Sequence, residues 1–131
     1  KNISDGTMIT IKYYHPKSGW GIEKFIKRQA GLDKEVSKDI EKYEPLKKIK
    51  HENGFEVTEI NREMKEYESI ESSSSPSYWL KERIYVFPAY KEGFFTITYS
   101  TRKENFNRHW RTLKFIFDSF ELMETEEGYN G

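Results

Sequence analysis

The sequence predicts one α+β domain, in which an antiparallel β-sheet of about six strands is flanked by helices as an α/β/α sandwich. Strand-like segments dominate the middle of the chain, and segments with helical periodicity stand before and after them. The strands predicted between residues 78 and 101 are apolar on both faces, so a helix is expected to cover each face. A chain of 131 residues is of the usual size for one domain.

Composition excludes several classes of function. Lys plus Arg and Asp plus Glu both number 22, so no net charge draws the chain to nucleic acid or to anionic lipid. The chain has no cysteine, which rules out disulfides, a thiol nucleophile and a zinc-thiolate site. No apolar run approaches the roughly 20 residues of a membrane-spanning helix, so the chain as given is expected to be soluble.

The first half of the chain predicts a strand over residues 8–15 and a helix over residues 21–30. β-branched and aromatic residues fill the strand, and Gly31 stands where a helix end needs a left-handed residue. Val36, Ile40 and Tyr43 recur at helical spacing, which predicts a second, exposed helix that Pro45 ends.

The middle of the chain predicts a β-hairpin, with strands over residues 46–52 and 55–66 around a two-residue Asn53-Gly54 turn. Both turn residues tolerate positive φ. The segment 69–77 contains four consecutive serines followed by Pro76, and it is expected to be a mobile loop.

The last part of the chain predicts two strands, over residues 78–88 and 93–101, joined by a short turn at 89–92. Thr101 and Glu104 have the spacing of a capping box, and the helix behind them is expected to end near Asp118. Its apolar stripe consists of Phe106, Trp110, Leu113, Ile116 and Phe117. A short final strand is expected at 120–123, followed by a frayed tail at 124–131.

The titratable and nucleophilic side chains do not form a recognisable catalytic or metal-binding motif. His15, His51 and His109 stand on different predicted elements, and His109 is more often a structural residue than a ligand or a base in such a context. No serine lies in a nucleophile-elbow pattern. Four glutamates in the predicted hairpin are expected to be solvated, namely Glu56, Glu59, Glu63 and Glu66. The sequence therefore predicts a protein without catalytic residues, cofactor or metal.

Aromatic residues are the one feature in excess, and they supply the candidate binding residues. Exposed rings would form a patch for a protein partner, whereas a cleft between the sheet and the last helix, walled by Trp79, Phe95 and Trp110, would hold an apolar small molecule. The alternative is that helices cover both faces of the aromatic strands. The candidate partner or ligand residues are Tyr78, Trp79, Tyr85, Phe87, Tyr90, Phe95 and Trp110.

The segment from Gly93 to Phe120 resembles the C-terminal half of PsbP-like (Mog/PsbP/DcrB-like) domains. It shares a strand of the form Gly93-Phe94-Phe95-Thr96-Ile97-Thr98-Tyr99-Ser100, a helix and a closing Ser119-Phe120, and Asp5-Gly6-Thr7 before a strand fits the upstream part. The resemblance spans most of residues 5–122. It implies a noncatalytic domain outside the cytoplasm, often of a lipid-anchored protein, that binds or stabilises a partner.

Overall fold

A computed structural model describes residues 6–67, 77–89 and 93–120. It confirms the α+β class, with an antiparallel sheet of six strands and two α-helices. The strands are β1 (Met8–Tyr14), β2 (Glu41–Tyr43), β3 (Lys47–Lys50), β4 (Glu56–Tyr67), β5 (Ser77–Pro88) and β6 (Phe94–Arg102), and the helices are α1 (Ile22–Gln29) and α2 (Trp110–Ser119). Short 3₁₀ helices lie at Pro16–Ser18 and Lys103–Asn105.

The strand order in the sheet is β1-β6-β5-β4-β2, and β3 pairs with β4 on the same side as β2. β4, β5 and β6 follow one another in sequence and pair as antiparallel neighbours. β5 is therefore the centre of the sheet. β1 forms one edge, and β2 and β3 together form the other.

Each face of the sheet has its own hydrophobic core. Tyr85 and Phe87 of β5 point to the face that α2 covers, where Leu113 is fully buried. Ile84 and Val86 point to the opposite face, where Phe25 of α1 packs on them. This alternation confirms that helices cover both faces of the aromatic strands, because adjacent residues of a strand point in opposite directions.

The helix predicted over residues 36–43 is wrong. The backbone N–H groups of Ile40 and Glu41 both bond the carbonyl oxygen of Ser37, at 3.1 and 3.0 Å, and the chain then enters β2. β2 pairs with the far half of β4 through Glu41 and Met64. Three apolar residues in a charged segment bury too little surface to hold a helix, whereas the open edge of β4 offers backbone hydrogen bonds at once.

The β3–β4 hairpin is confirmed, but its turn is longer than predicted. Lys50 pairs with Glu56, so five residues form the loop, and only Gly54 has positive φ, at 101°. The N–H of His51 bonds the carbonyl oxygen of Phe55 at 2.9 Å and closes the loop. The two-residue turn fails because the buried side chain of His51 belongs to the loop and needs this room.

The capping box predicted before α2 is also wrong. Thr101 is the penultimate residue of β6, and its hydroxyl bonds the Thr7 hydroxyl at 2.8 Å inside the protein. α2 begins at Trp110, after the 3₁₀ turn, and ends at Ser119 as expected. No helix among the described residues is long and apolar enough to cross a membrane. Residues 90–92 of the predicted turn, residues 69–76 of the predicted loop, residues 121–123 of the predicted final strand and the predicted tail 124–131 lie outside the described part of the chain. Ser77, the last residue of the predicted loop, begins β5 instead.

Candidate functional site

Three of the predicted binding residues belong to the core under α2. Tyr85 and Phe87 are buried, and the Phe117 ring lies 4.4 and 5.7 Å from their rings. Phe95 is partly covered by Phe120, at 5.7 Å between ring centres. Burial also raises the pKa of the Tyr85 phenol. Tyr85 and Phe87 thus hold α2 on the sheet and present no surface to a partner.

The remaining predicted residues lie outside this core. Tyr78 and Trp79 are half-buried at the start of β5, where Arg102 lies 3.9 Å from the Tyr78 ring and Lys42 lies 4.6 Å from the Trp79 ring. Trp110 is 37% exposed and stacks on the Arg83 guanidinium. Tyr90 lies outside the described residues.

The structure does not bring Trp79, Phe95 and Trp110 together as walls of a cleft. Phe95 pairs with Phe87, and Phe87 lies eight residues along β5 from Trp79, which is roughly 26 Å in a strand. A cleft for an apolar ligand in that place is therefore not supported by the geometry.

A charged cluster lies on the face of the sheet that α2 covers, beside the beginning of α2. A carboxylate oxygen of Glu59 accepts a hydrogen bond from Asn61 Nδ2 at 2.7 Å and lies 3.5 Å from Arg83 Nε. Arg83 Nε also donates to Asn61 Oδ1 at 2.7 Å. The expectation that Glu59 is solvated is wrong, since its side chain is 7% exposed, and Glu63 is half-buried too. These partners satisfy a buried carboxylate and make the cluster a structural one.

Two of the three histidines have identifiable structural roles. His15 Nδ1 accepts from Lys17 N at 3.0 Å, and His51 is buried between Phe55 and Phe117 with its Nε2 2.7 Å from the Phe117 carbonyl oxygen. His109 precedes α2 as its N-cap residue and makes no side-chain cap bond. Across the described residues, no group of three or more His, Cys, Asp or Glu side chains is placed to hold a metal ion.

The β2–β3 edge of the sheet is protected against strand pairing. β2 and β3 contain three and four residues, and Glu44, Pro45 and Leu46 interrupt the edge between them. Short strands, proline and lysine are the usual devices by which proteins block the addition of a further strand. The lysines on this edge are Lys42, Lys47, Lys48 and Lys50.

The opposite edge, formed by Met8–Tyr14 and called the β1 edge below, is longer and carries less charge. β1 pairs with β6 over seven consecutive residues without a bulge, and no other described strand pairs with it. Ile11 is 54% exposed, and Met8 and Tyr13 are also exposed. Lys12 is the one charged residue of the strand. The exposed apolar side chains of Met8, Ile11 and Tyr13 make this edge a candidate surface for another protein.

A pocket of about 350 Å³ lies between the end of α1 and β2. Its lining is mainly apolar and includes Ala30, Leu32, Val36 and the Tyr43 ring. At its side, the Tyr43 hydroxyl donates to Glu41 Oε1 at 2.6 Å. Burial and this hydrogen bond to a carboxylate raise the pKa of Tyr43 to about 12. Bonds from Tyr43 and Lys34 lower the pKa of Glu41.

Sequence reasoning identified β1 as a strand but not as an edge strand with exposed apolar side chains. The signal in the sequence is the apolar character of both faces of a seven-residue strand, where Ile9 and Ile11 share one face and Met8 and Tyr14 the other. That signal is also typical of a central strand. Only the strand order distinguishes the two positions.

Comparison of the chain with protein-family models, with curated proteins and with solved structures gives no significant match. The resemblance to PsbP-like domains therefore stays a prediction. The candidate site rests on the geometry of the described residues, and the surface that stands out among them is the β1 edge.

Proposed function

We propose that this chain is a noncatalytic protein-binding domain, which binds a partner protein through the exposed apolar side chains of the β1 edge. The difference between the two edges of one sheet carries the proposal. The β2–β3 edge is short, interrupted by Pro45 and rich in lysine, whereas β1 is continuous and exposes Met8, Ile11 and Tyr13. Exposed apolar side chains that lie together are typical of a surface for a protein partner.

The exposed side chains of the β1 edge lie on both faces of the sheet. Ile11 and Tyr13 lie on the α2 side, opposite Ile97 and Phe95 of β6, and Met8 lies on the α1 side. We expect a bound segment to place apolar residues against Ile11 and Tyr13.

The noncatalytic part of the proposal is supported by the structural roles of the polar groups. His51 holds the C-terminal end of α2 through Phe117, and Glu59 is paired with Asn61 and Arg83. Location outside the cytoplasm, with a lipid anchor as the sole membrane attachment, follows from the PsbP-like resemblance of the β6–α2 segment.

A displayed library of nine-residue peptides tests this surface directly. We expect selection of peptides rich in apolar residues, and at least a tenfold rise in Kd with the double variant Ile11→Lys, Tyr13→Lys, as expected from lost contacts worth about 1.4 kcal/mol or more. Phe115→Lys is the matched control, because Phe115 is 72% exposed on the outer side of α2. Unchanged binding by the double variant, or loss of binding with Phe115→Lys alone, contradicts the proposal.

The pocket between α1 and β2 supports a second candidate function, the binding of a small apolar molecule. Its volume of about 350 Å³ lies near the lower end for ligand sites. Titration with an apolar naphthalene sulfonate dye tests it. Dye binding that Leu32→Asp abolishes and Ile11→Lys leaves unchanged would favour this function over the β1 edge.

A further inference from the structure

The pocket between α1 and β2 combines an apolar surface with a cation that has no acidic partner. Ala30, Leu32, Val36 and the Tyr43 ring supply most of its lining, and Lys38 belongs to the same lining. Lys38 is exposed, and no carboxylate of the described residues forms an ion pair with it. A ligand in this pocket therefore meets apolar side chains and a positive charge together.

The other two charged residues of the lining are already engaged. Glu41 accepts hydrogen bonds from the Tyr43 hydroxyl at 2.6 Å and from Lys34 Nζ at 3.2 Å. Lys42 follows Glu41 in β2, so its side chain points to the other face of the sheet, where Nζ lies 4.6 Å from the centre of the Trp79 ring. An ammonium ligand would have to displace Lys34 from Glu41. An anion, in contrast, breaks no described contact when it pairs with the remaining cation.

Two negative groups near the pocket do not oppose an anion. The first is the C-terminal end of α1, which carries a partial negative charge. The last four carbonyl groups of this helix, at residues 26–29, all accept hydrogen bonds, and the one at Gln29 accepts from the guanidinium of Arg62 at 3.0 Å. The second is Glu35, which lines a neighbouring depression and is exposed, so that solvent and salt screen its charge.

The volume of the pocket sets the size of its ligand. A cavity of about 150 Å³ in a protein core holds one benzene ring. The pocket has about 350 Å³, which suits a molecule about twice as large, of roughly ten to fourteen non-hydrogen atoms.

We propose that this pocket binds a small amphipathic anion, with its carboxylate on Lys38 and its apolar body against Leu32, Val36 and the Tyr43 ring. The pocket is that of the second candidate function, on which this inference rests, and the β1 edge plays no part in it. An exposed ion pair and so small an apolar body give an expected Kd on the order of 0.1 to 1 mM.

Octanoate and octanamide are suitable probes, because they have the same size and differ in charge. Binding is followed by the NMR signals of the Leu32 and Val36 methyl groups, which also locate the probe in the pocket. Lys38→Gln should raise the Kd of octanoate about two- to fivefold and leave the Kd of octanamide unchanged. Lys17→Gln is the matched control, since Lys17 is exposed and lies outside the lining, and it should change neither Kd.

Reversal of the charge gives a second test. Lys38→Glu should weaken octanoate further and should tighten the binding of octylamine, the cationic probe of similar length. Because Lys38 is exposed, both variants should keep the circular dichroism spectrum of the unmodified chain.

Two results would overturn the inference. One is binding of octanoate and octanamide with Kd values that Lys38→Gln leaves unchanged, which removes the preference for an anion and keeps an apolar ligand in the pocket. The other is the absence of methyl shifts with either probe at about 10 mM, ten or more times the expected Kd. That result removes the second candidate function as well, and the binding of peptides at the β1 edge is tested separately from both.

Discussion

His15 and His51 show how one residue type serves two purposes. Each accepts a hydrogen bond at Nδ1 from the backbone N–H two residues later, at 3.0 Å from Lys17 and 3.1 Å from Asn53. His51 alone is buried, and it makes a second bond from Nε2 to the carbonyl oxygen of Phe117 in α2. Because Nδ1 accepts, Nε2 must carry the proton.

Substitution of each histidine by alanine should separate the stability contributed by the local Nδ1 bond from that contributed by the bond between His51 and Phe117. His51→Ala empties a buried site and leaves the Phe117 carbonyl without this partner, so we expect the free energy of unfolding to fall by about 2 to 4 kcal/mol. His15→Ala, the control at an exposed site, should cost less than about 1 kcal/mol. Urea unfolding of both variants measures this, and equal losses would show that the bond to Phe117 contributes nothing.

The role of His51 could not be read from the sequence, because its partner Phe117 is 66 residues away. A lone histidine in a predicted turn gives no sign that a helix end will come to lie over it. The burial of Glu59 was missed for a related reason. Its charge favours solvent, and the compensating Asn61 and Arg83 become neighbours only when β4 pairs with β5.

At the scale of elements, Gly31 lies just after α1 and contacts the Tyr43 ring of β2. Its φ is 71°, and a β-carbon built on it lies 2.6 Å from Cε2 of the Tyr43 ring. Tyr43 therefore packs directly on the backbone that ends α1. This contact fixes a three-residue strand that has few other neighbours on its outer side.

Gly31→Ala should destabilise the protein more than Gly54→Ala does. Both glycines have positive φ, so both variants bear a backbone cost of about 1 kcal/mol, but only Gly31 lacks space for a methyl group. We expect Gly31→Ala to cost about 2 to 4 kcal/mol, by analogy with overpacked sites. Thermal unfolding of the two variants gives the comparison. Similar melting temperatures would mean that the Tyr43 ring moves aside freely.

The elements with long alternating patterns were predictable, and the short ones were not. β5 and β6 carry nine to twelve residues of strand pattern, and their pairing was confirmed. β2 has three residues, and its apolar Tyr43 fits a helical spacing with Val36 and Ile40 equally well. Its state is decided by the open edge of β4, which a local pattern does not reveal.

For the whole molecule, stability at high pH should depend on Tyr43. Its pKa rises from 10.0 to about 12 on folding, so its contribution is complete below pH 10 and is lost as the pH rises toward 12. The free energy of unfolding should fall over this range, and the fall should be smaller in Tyr43→Phe. Denaturant unfolding at several pH values measures the slope, and Tyr13→Phe is the exposed control. Identical slopes in all three proteins would contradict the assignment.

The fold class of the molecule was predictable, whereas its candidate site was not. β5 carries aromatic and aliphatic residues on both faces, so a helix has to cover the sheet on each side. The site depends on which strand lies at the edge, and this follows from pairing between distant segments. The hydroxyls of Thr7 and Thr101, which meet where β1 joins β6, are 94 residues apart in sequence.

This separation has a consequence for the synthesis of the chain. β4, β5 and β6 can form their hairpins as soon as each is made, but β1 has to wait for β6, and closure of so long a loop slows folding. At a synthesis rate of about 5 to 20 residues per second, β1 spends roughly 5 to 20 seconds outside the ribosome without its partner. During that interval Ile9 and Ile11 are available to chaperones, and to β1 of a neighbouring nascent chain.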